Sequence, residues 1–246
     1  MKYLTILLIF VSFNLKSQIV NIEGNRFYND TNKVTGFIKG NLFINQSTNS
    51  LSLNSNIHVQ IKQDSNRLYL FLFDLNDIKS GNSIIDNYRI EHFRFNYKLS
   101  KFITDEFFIQ ELHNNYLQID SRINIGEGIR IKYLSNKSYK IYNGFLIMKE
   151  NYLNSNSIYK NCFRYDLYIS FNFKIDSAIF IVNTTYYQPI INDIFNYRIS
   201  DELSLDIKIS KHFMFEESIC YIFQSISPKE VKNKFLTNKV SFAFLF

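Results

Sequence analysis

The chain has 246 residues, a formal net charge of +6 and 17% aromatic residues, with 25 Phe and 17 Tyr against 7 Gly, 2 Pro and no Trp. Its 28 Lys and Arg are spread among 22 Asp and Glu instead of gathering on one stripe, which argues against a nucleic-acid surface. Solvated strand ends, a polar interior, or attraction to anionic lipid headgroups fit the charge instead.

The first segment, MKYLTILLIFVSFNLKSQ, places Lys2 before an apolar run from Tyr3 to Phe13. That run has the length of a signal-peptide core and is too short for a membrane-spanning helix. The reading is a signal peptide at 1–17 cut near Ser17 and Gln18, an N-terminal segment at 18–32 and a barrel domain at 33–246. Cys162 and Cys220 then lie in an exported chain, and two cysteines make no disulfide framework; both are expected as free thiols.

Past residue 32 the chain follows period two. In HFRFNYKLS, Phe93, Phe95, Tyr97 and Leu99 alternate with His92, Arg94, Asn96 and Lys98. LQIDSRINIGEGIRIKY sets Asp120, Arg122, Asn124, Arg130 and Lys132 on its polar side, FRYDLYISFNFK sets Arg164 and Asp166 there, and LSLDIKIS sets Asp206 and Lys208. Each is a strand with one apolar and one polar face. Twelve strands result, at 33–45, 50–62, 66–75, 88–99, 102–112, 116–133, 138–150, 160–174, 177–187, 197–209, 211–225 and 236–246. Connections after the even strands are tight, whereas 76–87, 151–159, 188–196 and 226–235 read as long loops.

That alternation, long strands and a secretion signal predict an all-β fold, a transmembrane antiparallel up-and-down β-barrel of about twelve strands in the bacterial outer membrane. The last strand, NKVSFAFLF, keeps Phe242, Phe244 and Phe246 on its apolar face. It must pair with the first strand to leave no edge in lipid. A terminal Phe on such a strand resembles the signal read by bacterial barrel-assembly machinery, which makes Phe242, Phe244 and Phe246 the assembly-signal candidates.

IVNIEGNR at 19–26 with Phe27, RFNYKLS and the following FFIQ, RINIGEGIRIKY, the strand ending MKENY, and TTYYQPIINDIFNYRIS together resemble an outer-membrane barrel family, domain of unknown function 481, often described as salt-induced outer-membrane proteins. The resemblance implies a barrel and an envelope location, and no established reaction or catalytic residue. Glu127, between Gly126 and Gly128, departs from the small residue expected there, and Glu217 shares its problem: alternation aims both at lipid. A site near the interface, a bulge, or a register one residue different would each relieve the cost.

Motifs for chemistry are sparse. His58, His92, His113 and His212 fall on different hairpins, with His58 and His92 read as lumen polarity and His113 and His212 as loop-end groups; none names a triad. HExxH, CxxC and acidic calcium-loop patterns do not occur, so no metal or cofactor is expected. GEG lies inside a strand, where glycine eases curvature or makes room for a bulky neighbour. The candidate site is therefore the lumen, with Arg94, Asp120, Arg122, Arg130, Arg164, Asp166, Asp206 and Lys208 facing inward. A self-neutralising plug is the first reading and an anion-preferring pore the second, with a structural or adaptor role ahead of a small-solute channel and a lipid-modifying enzyme third. Lipid, the assembly machinery and an envelope protein are the partners expected.

Overall fold

The computed structural model describes residues 32–45, 50–80, 83–115, 117–136, 138–154, 159–227 and 231–246; the expected signal peptide at 1–17 and residues 18–31 lie outside them. Twelve strands form one closed antiparallel barrel in which each pairs with its sequence neighbours and β12 returns to β1. They are β1 Val34–Asn45, β2 Ser50–Lys62, β3 Arg67–Ser80, β4 Ser83–Lys98, β5 Ile103–Asn114, β6 Ile119–Ser135, β7 Tyr139–Asn154, β8 Tyr159–Lys174, β9 Ile179–Ile190, β10 Asp193–Lys208, β11 Phe213–Gln224 and β12 Lys234–Leu245.

On the rim that holds both chain ends of the barrel, five turns share one device. The side-chain oxygen of Asp64, Ser100, Asn136, Asp176 or Ser210 accepts the backbone N–H groups two and three residues on, at 2.7–3.2 Å. These are the Asx and Ser turns that such residues favour, and each satisfies two donors the ladder leaves over.

The opposite rim corrects the expectation of long loops. β3 runs on to Ser80 and β4 starts at Ser83, while β9 ends at Ile190 and β10 starts at Asp193. Polar residues there fail to continue the apolar alternation yet still pair backbone to backbone, so the strands outrun their own hydrophobic signal. The stretch between Gln224 and Lys234 remains a longer connection.

Polarity separates this barrel from a soluble one. Phe71, Ile109, Ile125, Ile147, Phe171, Leu203 and Phe242 are exposed on the outside. Rings band the wall at two levels: Tyr69 with Phe95 (5.1 Å), Tyr139 with Phe173 (5.0 Å) and Phe213 with Phe244 (5.7 Å) near the turn-bearing rim, and Tyr197 between Tyr187 (5.6 Å) and Phe223 (5.7 Å) near the other. Such paired aromatic girdles mark the two interfaces of a bilayer. Among the described residues no helix is long and apolar enough to cross a membrane.

Candidate functional site

Alternation gives each strand an inward row, and the inward rows fill the barrel. Arg94, Arg122, Arg130, Arg164, Asp166 and Asp206 are all buried inside. Asp120 is not. The β6 ladders to β5 and β7 both shift between Ile119 and Ser121–Arg122, and this bulge turns Asp120 outward, where its carbonyl accepts a hydrogen bond from His113 Nδ1 (2.7 Å). Lys208 ends the inward row of β10 and is exposed at the rim, its ammonium 5.2 Å from the Phe180 ring.

Two carboxylates absent from the sequence reading organise the arginines. Glu106, fully buried on β5, accepts from Arg94 (3.1 Å) and from the Tyr168 hydroxyl (2.7 Å), and Arg130 approaches it at 4.0 Å while stacking over the Tyr142 ring at 3.6 Å. Glu150 on β7 accepts from Arg164 Nε (3.1 Å) and pairs with Arg198, and Arg164 also donates to the Gln188 carbonyl (3.0 Å). Arg122 faces this second cluster, where it adds to the positive field around Glu150. On the other side of the lumen Glu216 pairs with Lys39 beside Asp206, and Asp74 lies 3.9 Å from Lys239. A buried charge is tolerable only when paired and hydrogen-bonded, and these carboxylates supply those partners. Glu106 and Glu150 were legible only through the alternation that links them to Gln110 and to Met148, rows too mixed to declare a polar face.

Apolar groups complete the filling. Leu70, Leu72, Tyr88, Ile90, Leu112, Leu117 and Ile119, from β3 to β6, form one cluster with Cys220, Ile222 and Phe235 of β11 and β12. Opposite walls thus meet across the lumen. Leu117 reaches this cluster from the β5–β6 turn, where its N–H donates to Asn114 Oδ1 (2.9 Å) and Gln118 takes a φ of 55°. Gly126 and Gly144 let the Phe108 and Tyr168 rings lie against the wall, in space a Cβ would need. A cavity of about 20 Å³ remains among His92, Arg94, Gln110, Arg122, Asp166 and Gln188, room for a water molecule.

His58 and His92 are buried in the lumen, and His92 Nδ1 donates to Gln110 Oε1 (3.1 Å). His212 does more than solvate a turn: its Nδ1 donates to the Leu245 carbonyl (3.1 Å) and its ring stacks on Phe244 (5.8 Å), so it moors the last strand. Cys162 and Cys220 are both thiols, in no disulfide. Among the described residues no cluster of three or more His, Cys, Asp or Glu is placed to hold a metal. Phe242, Phe244 and Phe246 form an exposed outward row.

The model of a family described as Protein of unknown function, DUF481, matches residues 43–246. The chain belongs to the DUF481 family. Solved barrels resemble this DUF481 protein in fold. The NanC porin is 9% identical with a TM-score of 0.55, over 86% of this chain and 98% of its own. The KdgM porin is 9% identical with a TM-score of 0.51, over 87% and 99%. The COG4313 outer membrane channel from Pseudomonas putida F1 is 6% identical with a TM-score of 0.50, over 86% and 93%. At such identities the likeness is one of fold: a closed twelve-strand barrel of the outer-membrane porin type, which implies a membrane setting. No curated protein matches the sequence.

Proposed function

We propose that this DUF481 barrel resides in the bacterial outer membrane as a structural or adaptor component of the envelope, its lumen closed by its own side chains. The observation behind this reading is the cross-lumen apolar cluster joining Ile90, Leu112 and Leu117 to Ile222 and Phe235. Beside it the arginines are held by Glu106 and Glu150, so the polar interior is spent on internal pairs. Open porins keep such charges in water; here they are buried. Planar-bilayer recording of the refolded protein over a range of salts tests the proposal. No steady current is expected, and a steady ion-selective current would overturn it.

One observation favours a second reading, a narrow anion-preferring path: Arg122, Arg164 and Arg198 converge on the single carboxylate of Glu150. Rings of Arg favour anions in a conducting pore. If that reading holds, Arg122→Ala leaves stability nearly unchanged and shifts the reversal potential in a salt gradient away from anion selectivity.

A further inference from the structure

The cavity inside the barrel takes its lining from β4 to β9, and its polar wall includes His92, Arg94 and Asn124. One polar atom on each of these side chains has no hydrogen-bond partner among the described residues: His92 Nε2, Arg94 Nε and Asn124 Oδ1. All three side chains are more than nine-tenths buried. A buried polar group left unbonded costs its full desolvation, so three of them around one cavity point to an occupant that bonds them.

Contacts on their other sides hold two of these groups in place. Arg94 gives Nη1 to Glu106 (3.1 Å) and lies over the Phe108 ring at 5.2 Å. His92 stacks on the same ring (5.5 Å) and is bonded to Gln110 through Nδ1 (3.1 Å). With those contacts made, Arg94 Nε and His92 Nε2 remain to be bonded from the cavity that both side chains line.

The lining also sets the charge of the occupant. Two guanidiniums, Arg94 and Arg122, stand against one carboxylate, Asp166, whose Oδ1 already accepts from Gln188 (2.7 Å). Arginine stays protonated, so Arg94 Nε–H can only donate. The other two groups adapt. His92 presents a donor at Nε2 in its second tautomer, with the Gln110 amide turning in step, and the Asn124 amide presents nitrogen or oxygen by a half-turn. In a low-dielectric interior two fixed positive charges favour a negative acceptor over a neutral one.

We infer that this cavity is a binding site for one small monovalent anion, a halide by size, held by Arg94 Nε–H, His92 Nε2–H and the Asn124 amide. A volume of about 20 Å³ takes a single ion and excludes an organic acid. The site needs no open path: the ion is enclosed as the barrel folds and serves as an internal counter-ion. It goes beyond both readings of conductance above and depends on neither.

Two measurements test it. Protein refolded into detergent micelles with bromide as the sole halide, then moved into gluconate buffer, should retain one bromide per barrel by elemental mass spectrometry. Asn124→Asp sets a carboxylate of nearly the same shape in the lining and should abolish that retention. In urea unfolding at constant ionic strength, chloride substituted for gluconate should raise the folding constant about tenfold for each tenfold rise in chloride above half-saturation. The response should vanish in Asn124→Asp. In His92→Phe, which keeps a ring against Phe108 and removes Nε2, half-saturation should need about tenfold more chloride. No retained bromide, a wild-type folding constant indifferent to chloride, or an equal response in both variants would each overturn the proposal and leave the cavity to water. Conductance fails separately: a steady current in the planar bilayer refutes the closed lumen alone, and an indifferent wild type refutes the anion site alone.

Discussion

Gly36 and Phe246 close the barrel together: Gly36 N–H donates to the Phe246 carbonyl at 3.0 Å, Phe246 N–H donates back at 3.1 Å, and the Phe246 ring fills the space a Cβ on Gly36 would need. An outward glycine covered by an aromatic ring keeps a closing strand both flush and dry. Gly36→Val should therefore cost about 1–3 kcal/mol through overpacking. Deleting Phe246 should lower the yield of assembled barrel with synthesis unchanged, as it removes both backbone bonds and the last member of the outward Phe row. The measure is the fraction with shifted mobility on unheated gels. Equal assembly of the truncated chain would show that the last residue serves neither closure nor recognition.

Glu106 is the test of a plugged lumen. It holds Arg94 and the Tyr168 hydroxyl directly and is itself fully buried. Glu106→Gln leaves Arg94 and Arg130 without their carboxylate and should cost ~3–5 kcal/mol in denaturant unfolding from vesicles. A loss below ~1 kcal/mol would mean that water screens the cluster, as in an open pore.

The apolar closure makes a conductance prediction of its own. Phe235→Ala removes the largest side chain that β12 contributes to the cross-lumen cluster and should cost ~3–5 kcal/mol. Combined with Leu117→Ala, it should turn a silent barrel into one with discrete current steps. Persistent silence of the double variant would place the barrier at the ion clusters.

On the outer wall, Leu205→Arg and Leu167→Arg should each cost ~2–4 kcal/mol near mid-belt. Inward Arg at Ser170 or Ser204 should cost less, though not nothing. Both serines are buried in a filled interior and Ser170 accepts a hydrogen bond from Thr184 (3.1 Å), so overpacking of ~1–3 kcal/mol is expected there too. Glu127 faces outward between Phe107 and Ile147 with no ladder shift beside it. Glu127→Leu should then raise stability, by no more than ~2 kcal/mol, the penalty for a carboxylate being smaller than for Arg. A loss of stability would give that side chain a partner on its own wall.

Asp64 offers a pH test outside the membrane belt. Backbone N–H bonds from Asn66 and Arg67 and the Arg67 guanidinium hold its carboxyl below the usual aspartate range. A folded-state value depressed below the unfolded one means stability that is present above the unfolded value and lost as pH falls through the folded one. The turn at 63–66 should therefore loosen in acid below the ordinary aspartate titration, read as faster amide exchange at Arg67. In Asp64→Asn that acid step should vanish; an unchanged step would assign it to another group.

The sequence by itself determined the barrel, its twelve strands, the tight turns of one rim and the outward row of Phe242, Phe244 and Phe246. Those features are local, since period two and the turn residues are dictated by neighbours along the chain. Only the tertiary structure decided the rest. The far rim looked like loop because its residues are polar, but backbone pairing needs no apolar side chain. Strict alternation places Asp120 inward, and a single bulge reverses it. Glu106 and Glu150 could not be matched to Arg94, Arg130, Arg164 and Arg198 from spacing, because they meet across strands whose stagger is fixed by strand tilt and closure. The same holds for the cluster that gathers Leu117 with Phe235 and for the pairing of β1 with β12: they join distant parts of the chain, and they exist only once the barrel is closed.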